Sequence, residues 1–157
     1  MRSLLKIRIT SAVLTIFVSA VFPMNLIHAA NDKPLPMKGR GAGMITGLTP
    51  GPGGLEITAT GSGVATHLGN FTREERITLD PGTGSISGTI VFVAANGDTL
   101  TCSFAGGFTA PTTAAGVYTF TGGTGRFANA AGEAYFTIVQ TDLANFTFDF
   151  RGTIDMR

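Results

Sequence analysis

The sequence predicts an all-β protein, a small antiparallel barrel of eight or nine strands. Three features carry that expectation. Apolar and polar residues alternate with a period of two in short runs from Leu55 to Ile154. Proline, glycine, asparagine and aspartate separate the runs in turn-forming order. Beyond the first thirty residues no window holds a sustained helical period.

Those first residues read as a targeting segment. Arg2, Lys6 and Arg8 precede an uncharged, mostly apolar stretch from Ile9 to Phe22, which Pro23 breaks. Cleavage after Ala29 puts Ala29 at −1 and Ile27 at −3, a better fit than cleavage after Ala30. The apolar run is shorter than the ~20 residues of a spanning helix. Residues 1–29 are therefore expected to be a cleaved signal peptide, giving a secreted or periplasmic product without a membrane span. Residues 30–38 contain Pro34 and Pro36 and no periodic pattern, so they read as a flexible or extended lead-in. Residues 39–157 read as a single barrel domain.

Strands are expected near 41–48, 54–62, 64–72, 75–80, 85–94, 98–106, 116–121, 132–140 and 145–155. Thr49-Pro50-Gly51-Pro52-Gly53-Gly54 interrupts the first pair, since proline lacks the ladder donor. Asp80-Pro81-Gly82-Thr83-Gly84 is a turn in which proline presets φ. Asn96-Gly97, between Ile90–Val93 and Leu100–Phe104, is a strong hairpin signal. Asp142-Leu143-Ala144-Asn145 closes the last hairpin.

Alternation also sorts the faces. Leu55, Ile57 and Ala59, Ile77 and Leu79, Ile86, Ile90 and Phe92 share one face with Leu100, Cys102 and Phe104. Tyr118, Phe120, Ala134, Phe136, Ile138, Phe146, Phe148, Phe150 and Ile154 continue it. Glu56, Thr58, Arg76, Thr101, Asp149 and Arg151 fall on the other. One apolar face on so many short strands calls for closure, which removes exposed edges. A two-sheet sandwich is the rival arrangement.

Charge narrows the function classes. Without the leader, eight basic residues face ten acidic ones, a formal charge of −2. Arg73, Arg76, Arg126 and Arg151 are scattered, so nucleic-acid binding is not expected. Cys102 has no partner for an intrachain disulfide and lies on the apolar face, where a buried, inert thiol is expected. The mature chain keeps one histidine, His67, too few for a zinc site. As an acid or base it would need an orienting partner such as Glu74 or Glu75, so it is a weak catalytic candidate beside a packing role. Glu74 and Glu75 point to opposite faces, cannot share a proton, and read as a solvated pair. Asn70-Phe71-Thr72 and Asn145-Phe146-Thr147 match a glycosylation sequon, which matters only in a eukaryotic secretory pathway. Gly123-Thr124-Gly125-Arg126-Phe127-Ala128 matches a loose dinucleotide fingerprint, yet no helix follows to receive a pyrophosphate. A structural turn is expected there, with Arg126 paired to a carboxylate or capping the loop and Phe127 plugging one end of the core.

The passage from Gly116 through Gly122-Gly123-Thr124-Gly125-Arg126-Phe127 to Phe136 resembles the strand–GGTGRF–strand segment of dirigent proteins and the allene oxide cyclase-like barrel superfamily. Phe92 to Leu100 is similar to the hairpin preceding it there, so the resemblance spans residues 92–140. It implies an eight-stranded antiparallel barrel around a hydrophobic cavity, homo-oligomerisation, and cyclisation or coupling of apolar small molecules. Such activity would rest on polar groups inside the cavity. The carboxylates and arginines of this chain read as mostly outward, so no catalytic residue carries over.

Three functions follow as expectations. The first is an exported barrel without enzymatic activity that binds an apolar small molecule or serves extracytoplasmic interactions. Its ligand-lining residues would be Phe92, Phe104, Tyr118, Phe120, Phe136 and Phe148. The second is a cyclase or isomerase of the dirigent or allene oxide cyclase type acting on an apolar substrate, needing neither metal nor nucleotide cofactor. The third is a structural module with a filled core.

Overall fold

The computed structural model describes residues 33–157 and shows a closed barrel of eight antiparallel strands, each bonded to its sequence neighbours. The strands are β1 (Leu35–Gly51), β2 (Gly54–Ala65), β3 (Gly69–Asp80), β4 (Ser85–Val93), β5 (Thr99–Ala110), β6 (Thr113–Gly123), β7 (Ala131–Gln140) and β8 (Asn145–Asp155). β1 pairs with β8 from Leu35↔Ile154 to Met44↔Asn145, which closes the cylinder. The expected signal peptide and its cleavage site lie outside the described residues.

The strand boundaries correct the sequence reading in three places. Nine expected strands are eight, because 64–72 and 75–80 do not exist as separate elements. β2 runs unbroken through Gly61-Ser62-Gly63, and β3 runs unbroken through Arg73-Glu74-Glu75-Arg76. The reversal falls instead at Thr66-His67-Leu68, where His67 takes a left-handed φ of 65°. Strand β1 also begins at Leu35, inside the stretch read as a lead-in. Pro36 fits this position because its carbonyl still accepts, from the Thr66 hydroxyl at 3.3 Å.

The remaining turns follow their chemistry. Asp80 accepts from the Gly82 N–H at 2.8 Å and from the Thr83 hydroxyl at 2.8 Å. Asp142 accepts from the backbone N–H groups of Ala144 and Asn145 at 2.9 and 2.8 Å. Gly97 closes the β4–β5 loop at a φ of 88°, and its N–H donates to Ala94.

Inward positions form one aromatic core. Its rings include Phe71, Phe92, Phe104, Tyr118, Phe120, Phe136, Phe146, Phe148 and Phe150, all buried. Glycines stand directly across the ladder from several of them. Gly39, Gly41 and Gly43 on β1 face Phe150, Phe148 and Phe146 on β8. Gly88 faces Phe104 and Gly116 faces Phe136. Each ring occupies the volume that a β-carbon on its glycine would need. These glycines are therefore packing devices, making room for rings in a narrow cylinder.

Next-neighbour connectivity places alternate turns at opposite rims. The lower rim holds the β2–β3, β4–β5 and β6–β7 loops, and the fully buried Leu68 and Phe127 close it with Ala94 and Ala130. At the upper rim the inward-facing Ile45, Ile77, Leu79 and Ile138 are only half-buried. Loop side chains thus close the lower end of the barrel, while the aliphatic residues at its upper end remain half-buried.

Candidate functional site

Two charged side chains point into the barrel interior. Arg73 and Glu75 lie two apart on β3, in phase with Ile77 and Leu79, and both are buried. Small residues give them space: Gly61 stands opposite Arg73 and Ala59 opposite Glu75 on β2. The reading of Glu74 and Glu75 as a solvated pair is corrected for Glu75, and Arg73 is an exception to the mostly outward arginines. Period two holds straight through the charged run, so Glu74 and Arg76 are exposed while Arg73 and Glu75 are not.

Arg73 Nη2 lies 2.7 Å from Glu75 Oε1, with both side chains essentially inaccessible. The geometry is that of an ion contact rather than a directed hydrogen bond. Arg73 Nη1 donates to the Tyr118 hydroxyl at 3.1 Å. The guanidinium carbon sits 3.5 Å from the Phe148 ring centroid and 5.5 Å from that of Phe146. Cation–π attraction of this kind strengthens when water is excluded. Arg73 Nε and Glu75 Oε2 nevertheless have no hydrogen-bond partner among the described residues. A buried polar atom left unpaired costs about 1–3 kcal/mol, more when charged, so this pair has unmet demand for one acceptor and one donor.

Burial sets the protonation behaviour. Loss of hydration pushes the Glu75 carboxyl above its ordinary range, and the Arg73 charge pulls it back only in part. Burial also raises the Tyr118 phenol, although the nearby Arg73 opposes this. Cys102 is fully buried and its thiol is pushed up to about 12, again chiefly by burial. The inert thiol expected from sequence is what such a group provides.

The six aromatic residues expected to line a ligand all lie inside the barrel. Tyr118 stacks on Phe136 with centroids 4.5 Å apart, and Phe104 meets both rings edge-on at 6.2 and 5.9 Å. Phe92 and Phe148 each pack on Phe71, at 5.3 and 6.2 Å. Phe120 is buried with them.

His67 is elsewhere. It sits in the lower-rim turn with its Nε2 3.1 Å from the Pro36 carbonyl oxygen. The turn breaks the strand phase, so His67 does not share the inward direction of Phe71. Arg126 lies at the same rim, exposed, its backbone N–H donating to Asp98 at 3.3 Å and its Nε 4.0 Å from the same carboxylate. The glycine-rich passage forms a three-residue 3₁₀ turn, Gly125–Phe127, and returns to strand. Gly125 is required there because a β-carbon would strike the Asp98 carboxylate.

Among the described residues no three His, Cys, Asp or Glu side chains gather as a metal site, and no helix is long and apolar enough to cross a membrane. No protein-family model, curated protein or solved structure matches the chain.

Proposed function

We propose that the barrel binds an apolar small molecule, admitted at the upper rim, whose single polar group is set against Arg73 and Glu75. The observation that carries this reading is the unpartnered Arg73 Nε and Glu75 Oε2, buried inside an aromatic enclosure. The half-buried aliphatic mouth supports it, because an apolar molecule gains about 25 cal/mol per Å² of surface it buries there. In this reading the domain works outside the cytoplasm, delivered by residues 1–29, without a cofactor.

A cyclase or isomerase of the dirigent type is the second reading. Its support is the meeting of Arg73, Glu75 and Tyr118 within one enclosure, where confinement would pre-fold a flexible substrate. Glu75, its carboxyl held above the usual carboxylate range by burial, supplies a group able to carry a proton there.

Native mass spectrometry of the protein purified from its own host tests the binding reading through a retained ligand. The double variant R73M/E75L should then lose that ligand while remaining folded. Retention of the same mass by the variant would place the ligand elsewhere. Absence of any ligand, with no thermal shift across a panel of apolar alcohols and ketones, would leave a filled structural barrel.

A further inference from the structure

The outer wall carries a trough independent of the barrel interior. It lies over β8, β1, β2 and the start of β3, measures about 1010 Å³, and is walled by Lys38, Arg40, Val64, Asn70, Asp149 and Arg151 among others. Toward the upper rim it continues into a depression of about 450 Å³ that shares Arg40, Val64 and Asp149 and adds Val139. The glycine run of β1 accounts for the concavity. With no inward side chains at Gly39 and Gly41, the wall rests directly on the Phe150 and Phe148 rings.

Charge along the trough is unbalanced. Lys38 stands directly across the ladder from Arg151, and Arg40 from Asp149. Like charges placed opposite each other destabilise a sheet pair. Ion pairs among the described residues involve none of these three cations. A domain with more acids than bases thus gathers three exposed cations around one carboxylate, which makes a local field attractive to anions. Farther along, exposed Val64 and Val139 replace charge with apolar surface.

We propose that this trough binds an anionic amphiphile. Its phosphate or carboxylate head sits between Lys38 and Arg151, and its aliphatic chain runs past Arg40 along Val64 and Val139. The anion relieves the Lys38–Arg151 repulsion, and the chain covers the two valines.

Calorimetric titration with dodecyl phosphate, below its micellar concentration, tests this. Dodecyl phosphate should bind at least tenfold tighter than inorganic phosphate or dodecanol, and more weakly as salt rises. The exposed double variant K38Q/R151Q should lose at least tenfold in affinity, whereas R76Q, at a residue that does not line the trough, should not. R73M/E75L should bind dodecyl phosphate like the wild type, so this site stands or falls separately from the interior. Vesicles identify the source of the head group. Sedimentation with anionic but not neutral vesicles, lost in K38Q/R151Q, makes it a bilayer lipid; binding of the monomer alone makes it a soluble amphiphile. Equal affinity for inorganic phosphate, or unchanged affinity in K38Q/R151Q, overturns the proposal.

Discussion

The Glu75 carboxylate depends on Arg73 and on little else. Removing one member of a buried ion pair strands the other, at about 3–5 kcal/mol. Glu75→Ala is therefore expected to cost that much in urea unfolding. R73M/E75L, which removes both charges, is expected to be at least as stable as the wild type, because apolar replacements for buried pairs are often neutral or stabilising. A double variant as damaged as the single one would show that the pair holds the fold. The sign of the pH dependence follows from burial. A carboxyl raised in the folded state binds its proton more tightly there, so its contribution is full below the ordinary value of 4.5 and is lost as pH rises through the raised one. Wild-type stability should fall as pH rises above 4.5 through the raised value, and Glu75→Gln should flatten that slope. At lower pH the hydrogen-bonded Asp80, Asp98 and Asp142, all held below their ordinary range, reverse the trend as they protonate. The inward direction of Arg73 and Glu75 was legible from Ile77 and Leu79 by counting in twos. Hydropathy argued against it, since four consecutive charges look solvated. Packing decided the matter, because Gly61 and Ala59 leave a space that only large side chains from β3 fill.

Strands show the same tension between local chemistry and packing. Gly61-Ser62-Gly63 suggests a break, yet the glycines lie within a continuous ladder, Gly61 across from Arg73 and Gly63 across from Phe71. The true turn runs through Thr66-His67-Leu68 into Gly69, and His67 and Gly69 both take left-handed φ values, 65° and 68°. Gly69 was the one residue type that announced it. Turns at Asp80, Asn96 and Asp142 were legible because side-chain acceptors specify them locally. Two glycine substitutions separate the roles of this residue. Gly97→Ala meets nothing within 4 Å and suffers only its positive φ, so a loss of about 1 kcal/mol is expected. Gly41→Ala places a methyl group against the Ser62 carbonyl and 2.6 Å from Phe148 Cζ. Overpacking of that kind costs about 1–3 kcal/mol or more, so Gly41→Ala should melt well below Gly97→Ala. Equal melting points would mean that β1 can withdraw from the rings.

At the level of the whole molecule, closure was legible from the number of one-sided strands and Phe127 as a plug at one end from its place after the glycine-rich turn, whereas the part of Leu68 was not. Leu68 and Phe127 come from loops, where alternation carries no information, and their convergence on one rim is set by topology. Phe104→Ala and Phe148→Ala should each destabilise the domain by about 3–5 kcal/mol in chemical denaturation, as expected for rings buried in a shared core. Losses below roughly 1 kcal/mol would mean that the rings border open space. Cys102 offers a probe of global opening. With its thiol at about 12 and no solvent contact, it should resist a disulfide reagent at pH 8 and react only at the rate of unfolding.

The seam between β1 and β8 has a kinetic consequence. Synthesis delivers β1 first, yet one flank of that strand stays unpaired until Asn145–Asp155 has been made. Hairpins between neighbours can form early, but the cylinder cannot, and an incomplete sheet offers its free margin to other chains. Maturation of this domain is therefore governed by its longest-range pairing, which should make it a slow folder that benefits from being kept unfolded until the whole chain is available.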